Sequence, residues 1–184
     1  MDERIKQVTD DMSAIAEDAR QVFGSLSAEQ INWKPAEKSW SVGQCLDHLI
    51  KTNDAFGPEM TKIAAGGRKN SFIENWSPFT GYFGRFLIKA VGDDSKKVKA
   101  PSQAIVPPSD IASDIVARFE ENIAAANESV KACEGVNRQK TVITSPFLAI
   151  MTYTLEDGFT VLVEHTKRHI RQAKRVMEAG GFPK

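Results

Sequence analysis

Apolar residues recur along this chain with the period of an α-helix in four separate stretches. In the first, Ile5, Val8, Met12, Ile15, Ala19, Val22 and Leu26 fall three and four apart, the seam of a helix that buries one face. SLSAEQINWKPAEKSW breaks that pattern, with Pro35 as the main obstacle to a continuing helix. A second helix begins at an S-x-x-Q capping box, Ser41 with Gln44, and Trp40 and Cys45 sit where a hydrophobic staple would form. Val42, Leu46, Leu49, Phe56, Met60 and Ile63 make its stripe, and the glycine pair at 66 and 67 ends it.

Residues 68–108 are less regular. The aromatic-rich SFIENWSPFTGYFGRFLIKAVG predicts a short helix around 80–91. The polar, proline-bearing DDSKKVKAPSQAIVPP is too long for a bundle turn and is expected to cross from one end of a bundle to the other. Ser109 is placed to cap a third helix, on which Ile111, Ile115, Phe119, Ile123, Ala126, Val130 and Cys133 share one side. GVNRQKTVITSPFLAIM reads as a connection with extended character. Thr154 and Asp157 then cap a last helix that runs to Gly180 and Gly181. Four long helices, no regular strand pattern and no repeats predict an all-α four-helix bundle, with the long crossover between helices 2 and 3.

Composition narrows the classes. A chain of 184 residues suits one domain over 1–184. Lys plus Arg and Asp plus Glu each number 24, so nothing in the charge recommends nucleic acid or an anionic membrane as partner. The charged N-terminus, MDERIKQVTDDM, lacks the apolar core of a signal peptide, and no apolar run reaches membrane-spanning length. Cys45 and Cys133 are isolated, without a CxxC, as expected of reduced thiols in the cytoplasm.

The candidate chemistry lies in the three histidines. His165 and His169 are four apart on the last helix, about 6 Å along its axis and on one face. At about 100° per residue, Leu155, Phe159, Leu162, Thr166, Ala173 and Met177 form the buried stripe. His169 falls at its edge, His165 further out on the same side, and Gln172 beside His165. His48 flanks the stripe of the second helix in the same way. None points straight into the core and none straight out, as in a cleft between two packed helices. An H-x-x-x-H pair also arises on solvated helices, and a lone histidine beside a seam is commonly structural.

Two motifs decide between these readings. WKPAEKSWSVGQCLDHL closely resembles the W-(R/K)-P-x-(E/G)-x-W-S-(V/I)-G-(Q/E)-x-L-x-H-L segment of the DinB/YfiT-like superfamily. EHTKRHIRQAKRVMEAGGFP resembles that family's closing helix with its terminal G-F-P, and KAPSQAIVPPSD resembles the entry to its third helix. The likeness implies a DinB-like helical bundle and a divalent metal ion held by His48, His165 and His169. Imidazole suits zinc, nickel, iron and copper alike, so the ion's identity does not follow. Three imidazoles leave coordination positions for water or substrate, which is the pattern of a catalytic site.

Other residues carry two readings each. Cys45 precedes His48 by three residues, but its angle puts it in the apolar stripe as a small core residue. Gln44 could approach the metal, although capping accounts for it. Asp47 and Glu164 are expected to be solvated carboxylates. Gln172 lies beside the open face, and Arg168 next to it could meet an anionic group, or could form with Arg171 and Arg175 the solvated edge of the helix. Trp40, Trp76, Phe79, Tyr82 and Phe83 either line a pocket over the metal or pack beneath a connection.

Some members of the superfamily are S-transferases that use low-molecular-weight thiols such as mycothiol, bacillithiol or glutathione. The resemblance therefore implies a metal-dependent transferase taking a thiol and a small electrophilic substrate. Metal-dependent hydrolase and non-catalytic metal-binding stress module are the alternatives. The lack of an obvious general base counts against hydrolysis. The aromatic content of residues 72–87 and the habits of the family suggest a homodimer.

Overall fold

The computed structural model describes residues 2–66, 70–93 and 102–184. In chain order the elements are α1 (Glu3–Phe23), α2 (Ala28–Asn32), α3 (Val42–Ala64), α4 (Phe72–Trp76), α5 (Thr80–Gly92), a 3₁₀ turn at Gln103–Ile105, α6 (Ile115–Ala132), β1 (Val142–Thr144), β2 (Thr152–Thr154) and α7 (Leu155–Met177). The four long helices pack as a ring: α1 on α6, α6 on α3, α3 on α7 and α7 back on α1. Their apolar stripes meet inside it. Ile5, Val8 and Met12 from α1, Leu46 and Leu49 from α3, Ile115 and Phe119 from α6, and Leu155 and Phe159 from α7 are fully sealed from solvent. This is the expected all-α bundle, and among the described residues no helix is long and apolar enough to cross a membrane.

Local chemistry sets the ends of these helices. Ser41 and Gln44 form the expected capping box on α3, Thr154 Oγ1 accepts from the Asp157 amide at the start of α7, and Gly66 takes φ +69° after α3. Gly67 and residues 94–101 of the expected crossover lie outside the described residues.

Three expectations need correction. The third helix starts at Ile115 with Asp114 as N-cap, and Ser109 does not cap it. Asn32 is the reason: its Oδ1 accepts from the Ile111 amide at 2.8 Å and its Nδ2 donates to the Ile111 carbonyl at 2.8 Å, so Ile111 is pinned outside the helix. The break after the first helix and the less regular stretch after the second both hold short helices with complete capping boxes, Ser27 with Gln30 on α2 and Ser71 with Glu74 on α4. The last helix ends at Met177, short of the glycines. The connection after α6 has the extended character expected of it, with β1 and β2 paired antiparallel and Ile143 opposite Tyr153.

Close approaches fix what surrounds α3. A Cβ on Gly43 would come within 2.7 Å of Ile31 Cγ2 and 2.9 Å of Ile111 Cβ, so only glycine lets α2 and the segment before α6 press on the start of α3. The chain's end returns to the same place. The Phe182 ring meets Trp33 edge-on with centroids 5.5 Å apart, and Gln30 Nε2 donates to the Pro183 carbonyl at 3.1 Å. The two motifs that carry the family resemblance are thus in contact.

Helix α5 lies along α7 and over β2. Its other side is bare: Phe72 and Trp76 on α4, with Phe79, Tyr82 and Phe86 around α5, are each at least half exposed.

Candidate metal centre

His48 is on α3, one turn past the capping box, and His165 and His169 are on α7, which packs against α3. The helix-helix packing brings the three rings together. One ring nitrogen from each lies within 4.8 Å of the others, and the His48 and His165 Nε2 atoms are 3.3 Å apart. Two nitrogens bound to one ion at about 2.1 Å lie roughly 3.0–3.4 Å apart for octahedral to tetrahedral angles. The pair already has the spacing of ligands to a common cation.

The rings are held as neutral lone-pair donors. His48 is 4% exposed, and its Nδ1 donates to the Ile105 carbonyl at 2.7 Å, which leaves Nε2 with a lone pair facing His165. Burial lowers its pKa, outweighing the Ile105 hydrogen bond and the Asp47 charge, which act the other way. Burial also pushes His165 down to about 3, helped by His48 and the Arg168 charge, although the ring retains some access to solvent. His169, 9% exposed, is held well below the usual histidine range by burial and then by His165, His48 and Arg168. Its Nδ1 is buried without a hydrogen-bond partner, the kind of atom that a cation would satisfy. Three neutral imidazoles, one with an orphaned nitrogen, fit a divalent metal ion.

Trp40 covers the cluster. Its indole is tilted over His48 at 4.9 Å between centroids and stacked on His169 at 5.7 Å. Trp76, Phe79 and Tyr82 are exposed on α4 and α5, so these aromatics do not form one pocket with Trp40.

The remaining candidates separate cleanly. Gln172 sits one turn from His169 and its amide favours the protonated ring, but it leaves Nδ1 without a hydrogen bond. Arg168 Nη1 donates to the Ala90 carbonyl at 2.7 Å, so the guanidinium is anchored on the last turn of α5 rather than solvated, and its charge still reaches His165 and His169. Gln44 is engaged on both sides: Oε1 accepts from the Ser41 amide at 3.2 Å and Nε2 donates to the Pro108 carbonyl at 2.7 Å. Cys45 is sealed in the core, where burial pushes its thiol up to about 12, so it is a packing residue. Glu164 is half-buried beside Lys167.

Asp47 differs from expectation: it is 7% exposed and pairs with Lys51 at 2.8 Å. Lys51 and the Ile105 carbonyl were not legible as site residues. The first looks like any helix-surface lysine, and the second is a backbone group with no side-chain signal.

The profile of the DinB superfamily matches residues 12–173 of this chain. The chain is also similar to uncharacterized protein YuaE of Bacillus subtilis (strain 168), 28% identical over 158 residues that cover 83% of this chain and 86% of that protein. No solved structure matches it. With its three histidines gathered between α3 and α7 and the profile spanning nearly the whole bundle, this chain belongs to the DinB superfamily.

Proposed function

We propose that this protein is a cytoplasmic, metal-dependent enzyme that transfers a low-molecular-weight thiol to a small electrophile. The observation that carries the reading is the donor set. His48, His165 and His169 converge as neutral imidazoles, and among the described residues no cysteine or carboxylate joins their cluster. Three protein ligands with room for another are the arrangement of a catalytic rather than a structural centre. A divalent ion there would lower the pKa of a coordinated thiol or water and polarise a bound oxygen.

The chain's own residues would prepare that site. The Ile105 carbonyl orients His48, burial keeps His165 and His169 unprotonated, and the Trp40 indole keeps water from one side of the rings. Among the described residues no carboxylate joins the cluster as a general base, which favours thiol transfer over hydrolysis. Arg168, fixed at the end of α5, supplies a positive field toward an anionic thiol.

Cobalt(II) tests the reading, since it takes similar nitrogen and sulfur ligands and reports them optically. Adding bacillithiol, mycothiol or glutathione to the cobalt form should give a sulfur-to-cobalt charge-transfer band in the near ultraviolet. No band with any thiol, in protein shown to hold cobalt, would favour hydrolysis or a saturated, non-catalytic site.

The bare aromatic side of α4 and α5 supports self-association. Five aromatics of about 150–250 Å² each, at least half exposed, present roughly 600 Å². That is at the top of the range of about 300–600 Å² for the largest patch on a monomer. Ile73 on α4, 41% exposed, extends the face toward the about 800 Å² per partner of a stable dimer. Within residues 70–93, Glu74 is buried and only Arg85, Lys89 and Asp93 carry charge toward solvent, so the face is mainly apolar and suits a second copy of this chain.

A further inference from the structure

Residues 105–108 carry a row of acceptors. Pro107 and Pro108 have no amide hydrogen, so this stretch cannot join a helix or a ladder through them, yet its carbonyls still need donors. Helix α3 supplies these from one face. Gln44 Nε2 donates to the Pro108 carbonyl at 2.7 Å, His48 Nδ1 to Ile105 at 2.7 Å and Lys51 Nζ to Val106 at 3.1 Å. Positions 44, 48 and 51 are spaced as neighbours on one helical face. The middle donor is the candidate metal ligand.

We propose that residues 102–108 are a working part of the metal centre, with Gln44 and Lys51 as its positioning residues. They hold the strap in the register that lets the Ile105 carbonyl take the His48 Nδ1 proton, so strap docking and metal binding at His48 Nε2 are coupled. The inference rests on the metal reading above. If the docked strap fixes the tautomer and orientation that bind metal, bound metal must favour the docked strap by the same factor. Lys51 also pairs with the buried Asp47, the residue before His48, whose charge reaches that ring.

The test uses the full chain, zinc alone as probe, and Lys51→Met. Because that change strands Asp47, the double variant Asp47→Asn/Lys51→Met is made beside it to remove the unpaired buried charge. Each variant is first shown to be folded by circular dichroism. Zinc affinity should fall by about tenfold in the folded variant, the low end of what partners of metal-binding histidines contribute. Lys51→Arg, which keeps a cationic donor, should bind zinc like the wild type. In the wild type, zinc should slow hydrogen exchange at the Ile105 and Val106 amides, and this protection should shrink in the double variant. Unchanged zinc affinity in a folded double variant, or exchange at 105 and 106 indifferent to zinc, overturns the coupling. A separate readout needs no metal: nitrogen NMR of the metal-free chain should show His48 protonated at Nδ1, and an Nε2-protonated ring overturns the positioning. A wild-type chain that binds no zinc overturns the metal reading and the coupling with it, while the tautomer still decides whether the strap orients His48.

Discussion

The indole of Trp40 lies nearly parallel to the His169 imidazole, 28° between planes with centroids 5.7 Å apart. A metal ion at the histidines would therefore sit within contact range of this tryptophan's excited state. Cobalt or nickel should quench the protein's fluorescence in proportion to occupancy. Trp40→Phe should abolish most of that quenching and leave stoichiometry unchanged. Quenching of equal depth in Trp40→Phe would place the ion nearer Trp33 or Trp76.

About one divalent ion per chain should bind, as read by metal analysis after dialysis. Replacing His48, His165 or His169 by Ala should each weaken binding at least tenfold, because each removes one ligand of three. Cys45→Ala should leave the stoichiometry unchanged, since that thiol is sealed in the core. A histidine variant with wild-type affinity would break the triad as described.

Without metal, stability should decline as pH falls from 7 toward 4. All three histidines are held below their usual range by burial, His165 down to about 3. Below pH of about 6.5 the unfolded chain takes up protons that the folded chain refuses, at about 1.4 kcal/mol per pH unit for each such group. Urea midpoints of the metal-free protein at pH 7.5 and 5.0 measure the effect. His165→Gln should flatten the dependence, and an unchanged slope in that variant would mean that the ring is not held neutral.

Sedimentation at micromolar concentration should report a dimer. Trp76→Ser with Phe79→Ser should yield a monomer of unchanged helicity, because both side chains are more than half exposed and contribute to the bare face, not to the core. A wild-type chain that stays monomeric would rule this interface out.

The sequence made the frame legible where periodicity and capping agree. The stripes of α1, α3 and α7, the capping box at Ser41 and the cap at Thr154 all stand in the structure. What escaped is tertiary. Asn32 reaches across to Ile111 and delays α6, and no local propensity encodes that bond. The boxes at Ser27 and Ser71 were readable in principle, but five-residue helices are too short to show a period. At the site, spacing and motif found the three rings. They could not find the Ile105 carbonyl, because the residue's identity does not reveal what its backbone touches. Nor could they find the burial of Asp47, whose partner Lys51 is an ordinary i+4 lysine on paper.

His48 and His165 are 117 positions apart in the chain, yet their Nε2 atoms are 3.3 Å apart. An unfolded polypeptide offers a passing ion only the H-x-x-x-H pair, and the third ligand arrives only once α3 and α7 have docked. An ion held by all three histidines would act as a clasp on a very long loop, favouring the native chain over the denatured one by mass action. Loss of metal would then register first as a shorter lifetime of the protein against heat and proteases.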